Sequence, residues 1–404
     1  MSAPPGRLLS PAHTVTVYRG DYSGRVGFIG DYSSSAPTFQ RNGVGTATLV
    51  VDEDVEDQAP VLQLSQNTTQ VVPVTIVDGD RRWSGRVAHC ERQGRPGRGT
   101  VTATLVSDWV WVRSMLAWPL PTADITAQST EYDVRTGPVE NAVRGYLEAA
   151  ITRLRLPLAV VPGRGADTSP SDYPTPMARF DPLDEVIGPM LTATNRLLEA
   201  ELWLPGQPQP EGLVLTRPTI VLSVRAAPHS PHVHWTDDNG IVSRHLATTS
   251  PDAYRAVVGM RGEGVDRLLA SVVDSGLATS LGDFGLPELM VNATDVETTP
   301  EGQDRARAKL AEVAGKAALA IDVGDGAPWT FGYDYDVGSI VRATTSGVLV
   351  EDCIDRVTVT DNRRDGRVVT PQIGPSRADE STDSLVIAQV AEITAAVARI
   401  NSQR

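Results

Sequence analysis

The chain has 404 residues, 41% of them hydrophobic and 5% aromatic, with a formal charge of -14 and a pI near 4.9, so its length suits two to four domains of roughly 100 to 150 residues. Its acidity excludes a surface made to hold DNA or anionic lipid, since both need clustered cations and lysine occurs only as Lys309 and Lys316. No apolar run reaches the roughly 20 residues of a membrane span, the N-terminal MSAPPGRLLSPAH lacks a signal-peptide apolar core, and Cys90 and Cys353 make neither a disulfide framework nor a metal spacing. A soluble, cytosolically made product with buried free thiols is expected.

With Gly 35 and Pro 29, many short strands are predicted. Over residues 14–64 the runs TVTVY, RVGFI, GTATLVVDED and APVLQL have strand character, with Thr46, Thr48 and Val50 alternating against Ala47, Leu49 and Val51. Strands at 72–77 and 83–90 then meet at VDGDR, and a third follows at 100–106. Asp108 opens a short apolar helix that Pro119 and Pro121 shut off. These elements predict an all-β domain over residues 1–122, and a similar strand pattern returns between Trp329 and Val359.

From Gly137 the apolar period lengthens to nearly four. Pro138 suits a helix start, and Val139, Ala142, Val143, Tyr146, Leu147, Ala150, Ile151 and Leu154 share one face. A second helix opens at Asp181 and Pro182, has Asp184 and Glu185 in its first turn, and carries Leu183, Val186, Ile187, Met190, Leu191, Leu197 and Leu198. GRGADTSPSDYPTP between the two is a loop. An α+β domain is thus expected over 123–212. Strands resume at 213–216, 219–225 and 256–261. LLASVVD, the turn-rich SLGDFGLPE and a helix over 299–318 with Ala306, Leu310, Val313 and Ala317 follow, and strands return up to Asp361. This order predicts a second β domain from 213–262 and 328–375, with an α+β insertion at 263–327.

The last segment, 376–404, is predicted to be a coiled-coil-like helix. Val386, Val390, Ile393, Val397 and Ile400 are spaced four, three, four, three, the a/d seam of an oligomer interface. β-branched residues at both positions favour three or more strands. The seam spans about two heptads, fewer than a stand-alone coiled coil needs, and a terminal helix docked on its own domain is the alternative.

Several residue groups invite a chemical reading. His232 and His234 of HSPHVHWTDDNG fall on one side of a strand, near His229, Asp237 and Asp238, but a metal site needs a further ligand and supporting shell that the spacing does not supply; an exposed loop leading into a strand is the simpler reading. Asp334 with Asp336, and Glu56 with Asp57, are carboxylate pairs without a nucleophile or oxyanion donors. No GxSxG, HExxH, P-loop or dinucleotide fingerprint occurs. Trp109, Trp111 and Trp118 suit a plug for the first β domain or a subunit contact better than a sugar platform. No catalytic residue, cofactor or metal is expected.

The order of features resembles the minor tail proteins of actinobacteriophages with long non-contractile tails, members of the baseplate hub class. The stretches that carry it are GVGTATLVVDEDVEDQAPVL, RRWSGRVAHCER, GTVTATLVSDWVWVRSMLAWPLP, TGPVENAVRGYLEAAI, FDPLDEVIGPMLTATNRLLEAELWL, DNGIVSRHLATTSPDAYRAVVGMRG, TPEGQDRARAKLAEVAG and FGYDYDVGSIVRA, over roughly 40–360. The family often has Gly-Asp where this chain has Gly338 and Ser339.

The resemblance implies a mainly β homotrimer in the virion tail tip, made in the host cytoplasm. Each subunit would hold two tube-like β-barrels, an α+β domain between them, an α+β insertion in the second, and the C-terminal helix. The implied partners are a distal tail protein or tail tube above and tip, fibre or spike proteins below, with phage DNA only in passage and no membrane insertion. Duplicating a barrel within each of three subunits would let a threefold ring meet a sixfold tube. Three copies would carry three times -14, or -42, charges, which repel DNA rather than hold it. A receptor- or glycan-binding module and a metal-dependent cell-wall hydrolase on His232 and His234 are the alternatives.

Overall fold

The computed structural model describes residues 12–374 apart from 21, 23, 56, 96, 164–169, 172, 174, 240, 250, 263, 295, 314–315, 324–327, 346 and 365. The chain divides into two compact units, one of residues 1–244 with 320–404 and the other of 245–319.

The larger unit begins with β1 (His13–Tyr18), β2 (Arg25–Ile29), β3 (Ser34–Gln40), β4 (Thr46–Asp52), α1 (Gln58–Leu64), β5 (Pro73–Asp78), β6 (Arg81–Gln93) and β7 (Thr100–Ser107). Antiparallel pairing gives the order β2-β1-β5-β6-β7-β4-β3. The alternation in β4 buries Ala47, Leu49 and Val51. They share one core with Val15 and Ile29 from the far end of the order, so the sheet curls round it. Removing a Leu or Ile of this core from water stabilises the fold by about 1.5–3 kcal/mol. APVLQL, expected as a strand, is α1: Asp57 caps it by accepting from the Ala59 N–H, and Pro60, Val61 and Leu64 are buried at helical spacing. Apolar content alone did not distinguish the two periods over six residues.

The chain continues with α2 (Val110–Ser114), β8 (Leu116–Ala117), α3 (Val139–Leu154), β9 (Leu158–Val160), β10 (Asp181–Pro182), α4 (Leu183–Ala193), β11 (Arg196–Trp203) and β12 (Thr219–Ala226). β11, β12 and β9 form a three-stranded sheet in that order, and β8 pairs with β10. Helix α3 buries Val139, Ala142, Val143, Tyr146, Leu147 and Ala150 of the face read from its spacing, leaves Ile151 half-buried and Leu154 exposed in its last turn, and stops at Arg155, whose left-handed conformation turns the chain. The second helix ends earlier than expected. Thr194 caps it, Asn195 is left-handed at φ 51°, and Leu197 and Leu198 belong to β11. Both are buried, on opposite faces of the strand, so a strand covered on both sides imitated a continuing helical stripe. Residues 213–216 are not a strand; the Gln209 side chain bonds the backbone of Leu215 instead.

The tryptophan plug also lies elsewhere than expected. Trp109 packs with Val112, Met115 and the buried faces of α3 and α4, not in the core that β1–β7 enclose.

The remaining strands of this unit are β13 (His229–Thr236) and, beyond β14 (Ile241–Thr249), which leads out to the smaller unit, those after the chain returns. The smaller unit comprises β15 (Arg255–Gly259), β16 (Leu269–Val273), α5 (Ser275–Leu281), β17 (Glu288–Asn292) and α6 (Thr299–Glu312). Its sheet has the order β16-β15-β17. α6 covers one face with Ala306 against Ala256, Val258, Met260 and Ala270. α5, which overlaps the turn-rich stretch only at Ser280 and Leu281, is capped by the Asp274 carboxylate, which accepts from the Leu277 N–H. The helix expected to reach residue 318 stops at Glu312, and β18 (Lys316–Val323) begins just past Gly315, a residue that weakens a helix interior by about 1 kcal/mol.

β18 is followed by β19 (Ile340–Thr345), β20 (Val348–Asn362) and β21 (Gly366–Ile373). β20 pairs with β19 through its first half and with β21 and β3 through its second, so strands from the two ends of the chain join. Among the described residues this makes one 13-stranded sheet, on the path β14-β18-β21-β20-β3-β4-β7-β6-β5-β1-β2 with β19 and β13 branching from β20. The mainly β class stands. Two separately closed barrels do not appear in the backbone pairing; the sheet is one strip in which two strand groups meet at β3 and β20. Side chains tie the first group to β20 and β21. Arg367 grips the buried Asp78 at 2.8 and 2.9 Å, and Asp361 accepts from the Tyr32 hydroxyl and from the Ala12 N–H at 2.8 Å.

Candidate functional site

β11 is the edge of its sheet, so every second residue turns an N–H and a C=O away from β12. An unmet edge is unfavourable, and here side chains of the β1–β7 group meet most of it. Asn42 acts as a peptide group: its Nδ2 donates to the Arg196 carbonyl at 2.8 Å and its Oδ1 accepts from the Leu198 N–H at 2.9 Å. Trp109 Nε1 donates to the Leu198 carbonyl at 3.0 Å. The Leu202 N–H donates to Ser84 Oγ at 3.1 Å, and the Arg82 guanidinium donates to the Leu202 carbonyl.

One step of that row opens on a cavity of about 250 Å³, lined by Phe39, Arg41, Arg81, Trp83, Ala200 and Asp336 among others. Arg81 and Arg82 are paired with carboxylates, whereas Arg41 meets only a neutral amide, and the Nε of each of the three is buried without a hydrogen-bond partner among the described residues. Arg81 pairs with Asp336 at 2.8 Å, Arg82 with Glu201 at 2.7 Å, and Arg41 donates to Asn195 Oδ1 at 3.0 Å. Burial raises the pKa of Asp336 against the opposing pull of Arg81 and the Val337 N–H.

The loop FGYDYDVGS forms one wall. Gly332 and Gly338 have φ of 86° and 85°, and a Cβ on either would lie 2.5 Å from Arg81 Cγ or Leu197 Cδ1; only glycine lets the loop sit this close. Ser339 is buried, and its Oγ accepts from the Asp336 N–H at 2.9 Å. Asp334 accepts from the Thr330 N–H at 2.7 Å. The two aspartates of this motif therefore brace a loop. Asp108, behind the cavity, is 1% exposed and accepts from Ser84 Oγ at 2.6 Å. Burial pushes its pKa up to about 6, opposed by that hydrogen bond and by Arg86 and Arg82.

The other candidates are dispersed. His229, His232 and His234 lie on β13, and His234 Nε2 is 2.8 Å from Thr344 Oγ1. Among the described residues no group of three or more His, Cys, Asp or Glu could hold a metal ion. Asp57 is a helix cap, whereas Glu56 lies outside the described residues. Trp118 is stacked under Arg153 at 4.1 Å, and Trp111 lies 5.4 Å from the Arg86 guanidinium. Cys353 is buried, which pushes its thiol up to about 12, and Cys90 is half-buried. Val386, Val390, Ile393, Val397 and Ile400 lie outside the described residues. Among those residues, no helix is long and apolar enough to cross a membrane. Sequence reasoning missed the β11 edge and its partners Asn42, Ser84 and Arg82; the one available signal was the Asn-Gly turn at Asn42 and Gly43, which marks a left-handed position.

A comparison with family models matches residues 14–375 to the Siphovirus ReqiPepy6 Gp37-like protein family. The chain belongs to this siphovirus tail protein family. Solved structures with a similar fold include a tail protein from Neisseria meningitidis (14% identity, TM-score 0.53, covering 90% of this chain and 97% of that one). The prophage MuSo2 43 kDa tail protein from Shewanella oneidensis gives 11%, 0.55, 89% and 98% for the same measures, and prophage tail protein gp18 from Listeria monocytogenes gives 6%, 0.53, 94% and 99%. At these identities the likeness concerns the fold. No curated protein matches the chain.

Proposed function

We propose that this tail protein is a homotrimeric hub at the tip of a siphophage tail, where it caps or lines the end of the tail tube, converts sixfold to threefold symmetry and anchors tip proteins for attachment and DNA passage. The observation that carries this reading is the union of two strand groups, from 13–107 and from 229–373, in one sheet through β3 and β20. A subunit with two such groups offers two rim segments, and three subunits offer six. In this reading residues 1–122 and 213–262 with 328–375 supply the two barrel-like rims, except for β12, which joins the sheet of β11 and β9, and β15, which belongs to the smaller unit; 123–212 and 263–327 are the α+β domains, and 376–404 is the helix. Its seam of Val386, Val390, Ile393, Val397 and Ile400 closes the trimer on the tail axis. A distal tail protein or the tube lies above, and tip, fibre or spike proteins lie below. The charge of -14 per copy suits a wall past which DNA slides.

The test is the mass of the full-length protein by light scattering. A trimer gives three times 43.2 kDa, or about 130 kDa, and Ile393→Asp with Val397→Asp lowers it by setting charges in the apolar seam. A wild-type monomer overturns the trimer, and an unchanged trimer in the double variant removes the seam as its glue.

A further inference from the structure

Side chains close the curled strip of strands. Ser35, Asp361 and Arg367 are cross-strand partners in one row over β3, β20 and β21, and His13 and Asp78 are partners in a second row over β1 and β5. The pairing order β21-β20-β3-β4-β7-β6-β5-β1 sets these rows far apart along the sheet, yet their side chains meet. Arg367 holds Asp78 at 2.8 and 2.9 Å, His13 Nδ1 is 2.9 Å from Ser35 Oγ, and Asp361 accepts from the Ala12 N–H at 2.8 Å and from the Tyr32 hydroxyl. The Tyr32 oxygen in turn accepts from the His13 N–H at 2.8 Å. The groups facing His13 are thus Asp78 from β5, Asp361 from β20, Arg367 from β21, Ser35 from β3 and Tyr32 from the turn before it. His13, Tyr32, Ser35, Asp78 and Asp361 are each at most 7% exposed.

We propose that this cluster is an acid-released clasp, in which a proton taken up by His13 parts the row on β1 and β5 from the row on β3, β20 and β21. The geometry gives an imidazolium no acceptor in place. Nε2 lies 3.9 Å from Asp78 Oδ1, beyond hydrogen-bond length, and Arg367 already takes both oxygens of that carboxylate. Asp361, the other carboxylate, receives Ala12 and Tyr32. A charged ring must therefore draw Asp78 away from the guanidinium or leave the interior for water, and either course breaks a contact between the rows. Burial accordingly holds the His13 pKa below its ordinary value, helped by Arg367 and opposed by Asp78 and Asp361. The stability that neutral His13 lends the clasp is complete above about pH 6.5 and is lost as pH falls toward the lower value of the folded state. Once released, the ring titrates at its ordinary 6.5 or so, and at pH 5 opening is favoured by at most about thirtyfold. Asp108 titrates in the same range with the opposite sign and does not supply this loss. The clasp lies within one subunit, and it holds whether the protein is a trimer or a monomer.

The test is hydrogen exchange of the full-length protein between about pH 7.5 and 4, corrected for the intrinsic pH dependence of exchange. It is read at the amides of Ala12 and His13, whose acceptors lie inside the clasp. Their opening is expected to rise about fivefold or more from pH 7.5 to 5, with an onset near 6.5. His13→Asn keeps a polar partner for Ser35 and takes up no proton, and it is expected to remove the rise, as is His13→Gln. His89→Asn, at an exposed position on β6, is expected to leave the rise intact. The proposal is overturned if the wild-type rise falls short of that, if it sets in only below about pH 4.5, where carboxylates titrate, or if either His13 variant retains it. Should neither variant fold, the size and onset of the wild-type rise decide. A monomeric mass with an onset near 6.5 would remove the hub and keep the clasp.

Discussion

Replacing Asp108 by Asn measures what an ionised carboxylate in the interior costs this protein. Asp108 is 1% exposed, its pKa is raised from 3.8 to about 6 by burial, and its one direct side-chain partner, Ser84, is neutral. Between those two values the folded state holds a proton that the unfolded state has released, so the stability supplied by the protonated form is complete below about pH 4 and is lost as pH rises through 6. Roughly two pKa units at 1.36 kcal/mol each amount to about 3 kcal/mol. Asn keeps an acceptor for Ser84 and does not titrate. The change in unfolding free energy on Asp108→Asn, taken at pH 8 minus its value at pH 4, is therefore about +3 kcal/mol in favour of the variant, and any pH-independent effect of the amide cancels. Urea unfolding followed by the fluorescence of Trp109 and its neighbours at five pH values supplies the comparison. A difference of zero, or one that favours wild type at pH 8, refutes the reasoning: Arg82 and Arg86 would then hold the carboxylate charged despite its burial.

Three further outcomes are expected. Asn42→Gly keeps the left-handed turn at φ 46° but leaves the Arg196 carbonyl and Leu198 N–H unmet, which costs about 2–4 kcal/mol and shows as faster amide exchange at Leu198; unchanged exchange there would mean that the carboxamide is not the latch. Gly338→Ala forces a Cβ to within 2.5 Å of Leu197 at φ 85° and lowers stability by about 2 kcal/mol or more; thermal unfolding reads it, and Leu197→Ala in the same chain should recover part of the loss. Arg367→Met strips the buried Asp78 of its bidentate partner and costs about 3 kcal/mol or more at pH 7 by the same urea assay; an unchanged midpoint would mean that the pair does not hold the strand groups together.

Local pattern carried most elements whose surroundings are simple. β4 has a wet and a dry face, and its alternation is plain; α3 has one buried face and a left-handed stop, and its period is plain too. The misreadings occur where tertiary contacts decide. α1 is too short for its period to outweigh its apolar content, and β11 is buried on both faces, so Leu197 and Leu198 prolonged the pattern of α4. The site was nearly invisible because its working groups are backbone atoms of β11, and sequence does not encode which edge a strand will present. Trp109 and the GYDYDVG loop drew attention for their composition, yet their roles, donating to a carbonyl and fitting two glycines against Arg81 and Leu197, depend on partners more than 85 residues away. The seam of the last segment remains a property of spacing alone.

The junction of β3 with β20 also sets an order of events during synthesis. Thr38 meets Thr358, a separation of 320 residues. At about 5–20 residues per second, roughly 16 to 64 s pass between the emergence of the two strands from the ribosome. Throughout that interval β3 exposes an unpaired flank to every other nascent copy, which is a hazard for aggregation. A chain released before residue 348 lacks β20 altogether and leaves that flank of β3 without its partner.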